Sequence, residues 1–166
     1  MNRMMSTTAV MAVVFGTTAL SVSAQDLMVE IGEGDFSWDA YEAFAEAYDL
    51  EGQTVTVTGA TTGDDANRYR KAFQYFTEAT GAEVEYSGSE SFEQDIVISA
   101  RAGSAPNLAV FPQPGLASDM AKQGQLTPLP DGSAEFLQEN YAAGQSWVDL
   151  GTFEGKGGEE DLYGFF

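Results

Sequence analysis

Between Thr54 and Gly124 the hydrophobic pattern switches repeatedly between strand-like alternation and helical spacing, and this constrains the fold more than any other feature of the chain. Thr54-Val55-Thr56-Val57-Thr58 alternates β-branched residues and predicts a strand. Residues 59–63 read as a loop, and Asp64 or Asp65 is placed to cap the next helix by accepting its free N–H groups. In that helix Ala66, Tyr69, Phe73, Phe76 and Ala79 share one face, and Gly81 ends it. Ala82-Glu83-Val84-Glu85-Tyr86 alternates again as a second strand. After a turn at Ser87-Gly88-Ser89, Ser91 and Gln94 match a capping box. The helix they open buries Phe92, Ile96, Val97 and Ala100 and stops at Gly103. Ile96-Val97-Ile98 alone suits a strand, but the cap and the stop favour helix. Asn107-Leu108-Ala109-Val110-Phe111 is the short apolar run of a strand buried on both faces. Pro112-Gln113-Pro114 then turns the chain, Pro114 or Gly115 opens a third helix with Leu116, Ala117, Met120 and Ala121, and Gly124 closes it.

Such alternation predicts a parallel sheet with helices on its faces, a three-layer α/β lobe. Open sheets of this kind bind ligands beyond the C-terminal ends of their strands. Here that edge comprises residues 59–65, 87–91 and 111–114. The flanks are less regular. Residues 25–50 form an acidic, aromatic segment with helical spacing at Tyr41, Phe44, Ala45 and Tyr48. Beyond Gly124, residues 126–130 read as extended and 133–141 as a short helix. Residues 146–153 and 162–166 read as strands joined by Gly155-Lys156-Gly157-Gly158 and an acidic patch. At the other end Arg3, the apolar run around residues 9–15 and Val22-Ser23-Ala24 fit a secretory signal peptide, residues 1–24, cleaved after Ala24. The apolar run is shorter than a bilayer-spanning helix needs.

Composition removes several chemistries. With no His and no Cys, the chain holds no Ser-His-Asp triad, no Cys nucleophile, no thiolate or imidazole zinc site and no disulfide. Its 26 Asp+Glu against 7 Lys+Arg give a net charge of −19, which repels nucleic acid and anionic lipid. A neutral ligand, a cation or a basic protein surface stays open.

The first edge loop, Gly59-Ala60-Thr61-Thr62-Gly63, is Gly-rich and precedes a helix, but it lacks the phosphate-loop ending and the dinucleotide spacing, and Asp64-Asp65 would repel phosphate. Its hydroxyls and carboxylates suit sugar hydroxyls, which need donors and acceptors together. Gln113, held between prolines, both donates and accepts. Ser87, Ser89 and Glu90 are turn residues that add polar groups. Trp38, Trp147 and Tyr163 offer stacking faces, though large aromatics default to the core. Arg68, Arg70 and Lys71 read as a solvated helix face, and Glu159-Glu160-Asp161 as a solvated acidic loop without calcium-hand spacing. Paired carboxylates would also suit glycoside hydrolysis, so a secreted carbohydrate-active enzyme is the alternative to a binding module.

Phe73-Gln74-Tyr75-Phe76-Thr77-Glu78-Ala79-Thr80-Gly81-Ala82-Glu83-Val84 resembles the early helix and strand of bacterial extracellular sugar-binding proteins, as do Ser91-Phe92-Glu93-Gln94-Asp95-Ile96 and residues 103–111. Pro112-Gln113-Pro114-Gly115-Leu116, with residues 124–129, looks most like the alpha-glucoside-binding proteins of ABC importers. The resemblance spans most of residues 50–166. It implies residues 51–166 as the N-terminal lobe of a type II-like periplasmic binding protein. That protein would be a monomer that captures an alpha-glucoside and delivers it to ABC permease subunits in the inner membrane, with no cofactor and no covalent chemistry. It also implies ligand contacts from the loops after the first and third strands, here Thr61, Thr62, Asp64 and Gln113. Such proteins continue into a second lobe, so the expectation is a truncated lobe, or a remnant that no longer binds.

Overall fold

The structure, a computed structural model, describes residues 27–33, 38–141 and 144–165. The expected signal peptide and its cleavage site, with Asp35, Phe36 and Phe166 of the expected flanking elements, lie outside the described residues. The described chain is mixed α/β. It runs α1 (Asp39–Ala47), β1 (Thr54–Gly59), α2 (Gly63–Thr80), β2 (Glu83–Gly88), α3 (Phe92–Arg101), β3 (Leu108–Val110) and α4 (Pro114–Lys122). Then follow α5 (Ser133–Asn140), α6 (Gln145–Gly151), β4 (Thr152–Glu154) and β5 (Glu160–Leu162).

Among the described residues β1 is the centre of a parallel sheet of order β2-β1-β3. Val57 stands opposite Tyr86 on one side and Leu108 on the other. The chain steps from β1 to β2 and then back across β1 to β3. Right-handed crossovers therefore put α2 and α3 on opposite faces. The packing agrees. Val57, Ala66 and Tyr86 form one core with Val55, Tyr69, Phe73, Val84 and Val110, while Phe92, Ile96 and Met120 form another with Val97, Ala100, Ala109, Phe111, Leu116 and Leu126. Neighbours Ala109 and Val110 fall in different cores, as strand alternation requires.

The helix starts differ from expectation in two places. Thr62, with extended backbone, stands at the head of α2 without a side-chain cap, so neither Asp64 nor Asp65 is the cap residue. Both lie in the first turn, where their charge favours the positive end of the helix dipole. Ser91 likewise makes no side-chain cap, because its backbone (φ −96, ψ 19) is not in the extended region that aims a capping oxygen at the helix. Ser89 braces the turn before the helix. Its hydroxyl donates to Asp95 Oδ2 at 2.6 Å and accepts from the Ser91 N–H at 3.1 Å. At α2's other end Gly81 takes φ +71 and its N–H returns to the Thr77 carbonyl, the left-handed stop that glycine adopts without penalty.

β3 is not buried on both faces. It lies at the sheet edge among the described residues, and Leu108 is 55% exposed. Asn107 fixes its start: Oδ1 accepts from the Thr56 N–H and hydroxyl, both at 2.9 Å, and the Asn107 N–H donates back to Thr56 Oγ1 at 3.0 Å. The expected strand at 146–153 is mostly helix α6, which buries Val148 and leaves Trp147 and Leu150 exposed. The strand begins only at Thr152, where pairing with β5 starts, and β5 ends where the second expected strand was to begin. The register is set by the turn, with the Gly155 N–H bonded to the Glu159 carbonyl at 2.8 Å.

The N-terminal segment docks on α2. Tyr75, absent from the expected buried face, is 4% exposed, and its hydroxyl accepts from the Val29 N–H and donates to the Val29 carbonyl, both at 2.6 Å. Phe44 of α1 meets Phe76 with ring centres 5.6 Å apart. Burial, with smaller effects from Tyr141 and Tyr75, raises the Tyr41 phenol above its ordinary pKa.

Candidate functional site

The strand order reverses between β1 and β3, so the topological switch point lies at the ends of these two strands. Two loops meet this edge, residues 60–62 before α2 and 111–113 before α4.

The first loop is tied down. Buried Tyr86 of β2 donates its hydroxyl to the Thr61 carbonyl at 3.0 Å. The Ser89 N–H donates to the Gly59 carbonyl at 3.0 Å, joining the ends of β1 and β2. Gly88 lies so close beneath the loop that a Cβ there would overlap the Thr61 carbonyl. Gly63, at φ +59, then turns the chain into α2 through backbone that favours glycine. Tyr86 is held in turn. Tyr69 stacks on it at 5.0 Å and 11°, and Arg70 lies 5.8 Å over its ring while donating to the Tyr86 carbonyl at 3.3 Å.

The basic cluster is exposed, as expected of a solvated helix face, and Arg70 also donates to Asn67 Oδ1 at 3.0 Å. Arg68 stands open to solvent. Its side chain is 84% exposed and sits 3.7 Å from Asp65, a loose pair worth little in water.

Of the expected contact residues, Thr61 is half-buried and lines a depression of about 480 Å³ with Asp65, Arg68, Tyr69 and Ala72. Thr62 and Asp64 are exposed beside it at the start of α2 and do not line it. Gln113 is exposed on the other loop, also outside that depression, and has a structural duty: Oε1 accepts the Gly115 N–H at 2.7 Å and caps α4 behind Pro114. Its amide Nε2 points towards Glu93 Oε1 at a long 3.5 Å. With the carbonyl engaged, the side chain presents N–H donors to a ligand.

The aromatic candidates do not line the depression. Trp38 stacks on Tyr41 at 5.7 Å, Tyr163 on Phe153 at 6.2 Å, and Trp147 lies on α6. Among the described residues no group of three acidic side chains is placed to hold a metal ion. Tyr69, expected on the buried face, packs against the first core and also lines the depression, and Asp65, expected as a cap candidate, lines it too. The signal was present, because residues 65, 68, 69 and 72 share one helical face.

Tyr86→Phe should remove one anchor of the loop. The expected result is a loss of about 1 kcal/mol, typical of a hydrogen bond, with faster amide exchange at residues 60–62. Unchanged exchange there would mean that packing on Gly88 holds the loop alone.

The loops at the switch point carry hydroxyls, carboxylates and an amide, and sequence comparisons show which proteins share this stretch of chain. The chain is 50% identical over 143 residues to the alpha-glucosides-binding periplasmic protein AglE of Rhizobium meliloti (strain 1021), covering 86% of this chain and 31% of that protein. It is 40% identical over 108 residues to the osmoprotective compounds-binding protein GgtB of Synechocystis sp. (strain ATCC 27184 / PCC 6803 / Kazusa), covering 64% of this chain and 25% of that protein. No family model matches the chain. The resemblance to solute-binding proteins is thus shown over most of this sequence, which spans 31% or less of the length of these two curated relatives.

Proposed function

We propose that this protein is a periplasmic solute-binding protein that captures an alpha-glucoside or related oligosaccharide for uptake by an ABC importer. The observation that carries this reading is the 50% identity, over 86% of the chain, to a relative named for binding alpha-glucosides. The parallel sheet supports it, because its switch point lies beside the loops carrying Thr61, Thr62 and Asp64 on one side and Gln113 on the other. In this reading the lobe is one side of a two-lobed receptor that works as a monomer and hands its sugar to permease subunits in the inner membrane. Thr61 and Thr62 offer hydroxyls that donate and accept, Asp64 accepts, and Gln113 donates through Nε2. No covalent step is involved.

Calorimetry of the full chain against maltose, sucrose and trehalose tests the reading, with chromatography of the same samples. Saturable binding without sugar consumption is expected. Steady glucose release that depends on the protein would support the enzyme reading instead.

A further inference from the structure

The sequence resemblance points to the outer rims of the two loops. The depression itself lies on the flank of α2. We propose that the hollow lined by Thr61, Asp65, Arg68, Tyr69 and Ala72 is a sugar subsite, with Tyr69 as its wall and Asp65 and Arg68 as its hydroxyl-binding pair. The inference rests on the sugar-binding reading and adds to it the residues that seat one ring.

Charge selects the ligand class. An anion meeting Arg68 also meets Asp65 at 3.7 Å from the guanidinium, with Asp64 next in sequence, inside a chain of net charge −19. A cation meeting Asp65 meets Arg68. A neutral ligand whose hydroxyls accept from the guanidinium and donate to the carboxylate satisfies both at once. The volume, about 480 Å³, lies in the range of small-molecule sites. An aromatic wall suits the C–H face of a pyranose, and Tyr69 is held in place by its stacking on Tyr86. The same Tyr86 holds the Thr61 carbonyl, so one buried ring aligns the wall and the loop at the rim.

Arg68 makes the test clean. Its side chain is 84% exposed and its ion pair with Asp65 is loose, so Arg68→Ala removes a ligand contact with little structural loss. Amide chemical shifts of the full chain would be followed during titration with maltose, and affinities compared for the parent, Arg68→Ala, Asp65→Asn and Lys71→Ala, with melting measured in parallel. The expected footprint covers residues 61, 65, 68, 69 and 72. The expected loss is roughly tenfold for Arg68→Ala and Asp65→Asn, about the value of one hydrogen bond to a charged group, with Lys71→Ala unchanged. Shifts confined to residues 89–93 and 111–115, with parental affinity in Arg68→Ala, would overturn the subsite and leave the receptor reading standing. No shift anywhere with maltose, sucrose or trehalose at millimolar concentration would overturn both.

Discussion

Gly88→Ala is expected to cost about 3 kcal/mol, the upper part of the range for overpacking a tight site. The added methyl group would overlap the Thr61 carbonyl and press on the Thr62 Cα, and both are backbone. Backbone cannot rotate out of the way as a side chain can. The loop must therefore lift, breaking the Tyr86–Thr61 hydrogen bond and moving the start of α2. The proposed sugar binding should fall with it, since Thr61 and Asp65 ride on the displaced segment. Urea unfolding monitored by circular dichroism measures the first effect, with Gly164→Ala as control because a Cβ at Gly164 meets nothing within 4 Å. Equal midpoints for the two variants would show that the loop does not rest on Gly88.

Phe92→Ala should be the most damaging single truncation, at about 3–5 kcal/mol. Phe92 is 1% exposed and meets Phe111 edge-on at 5.4 Å and 78°. It opens α3, while Phe111 opens the loop that carries Gln113. Removing the ring leaves a cavity against Ile96 and Met120 and takes away the contact that joins these two helix starts. Phe92→Leu should recover part of the loss by refilling the space. A cost below about 1 kcal/mol for Phe92→Ala, far under the usual range, would mean the second core collapses freely around the gap.

The legible part of this fold was the alternating segment. Its strands and helices follow from periodicity, and parallel pairing follows from their order. Legibility failed where one residue served two duties or where a local pattern had two solutions. Tyr69 packs on the core and also lines the hollow, so its apolar spacing concealed its surface. Tyr86 reads as one alternating strand residue, because the carbonyl it holds is 25 residues away in sequence. Ser91 has the right type for a cap, yet its backbone aims the side chain away from the helix, and Ser89 braces the turn through Asp95 and the Ser91 N–H. Residues 146–153 carry apolar side chains at spacings that suit strand or helix, and burial of Val148 and Gly151 within a short helix decides the matter. The expected ligand contacts came from resemblance. Their types suit a sugar, but which of them share a hollow depends on side-chain directions that no spacing encodes.

The central position of β1 bears on how the chain comes to be folded. The earliest strand of the sheet stands between two later ones, so its two edges are covered at different times. A growing chain gives β1 its first neighbour only when residues 83–88 have been made, and its second only at residues 108–110. The bond from Thr56 to Asn107 closes 51 residues of chain, and long closures of this kind slow folding. Until β3 arrives, Val57 lacks the neighbour on one flank, and every nascent intermediate shorter than that carries a bare strand edge. Synthesis from the N-terminus therefore pairs β1 with β2 first, and the second flank of β1 waits for β3.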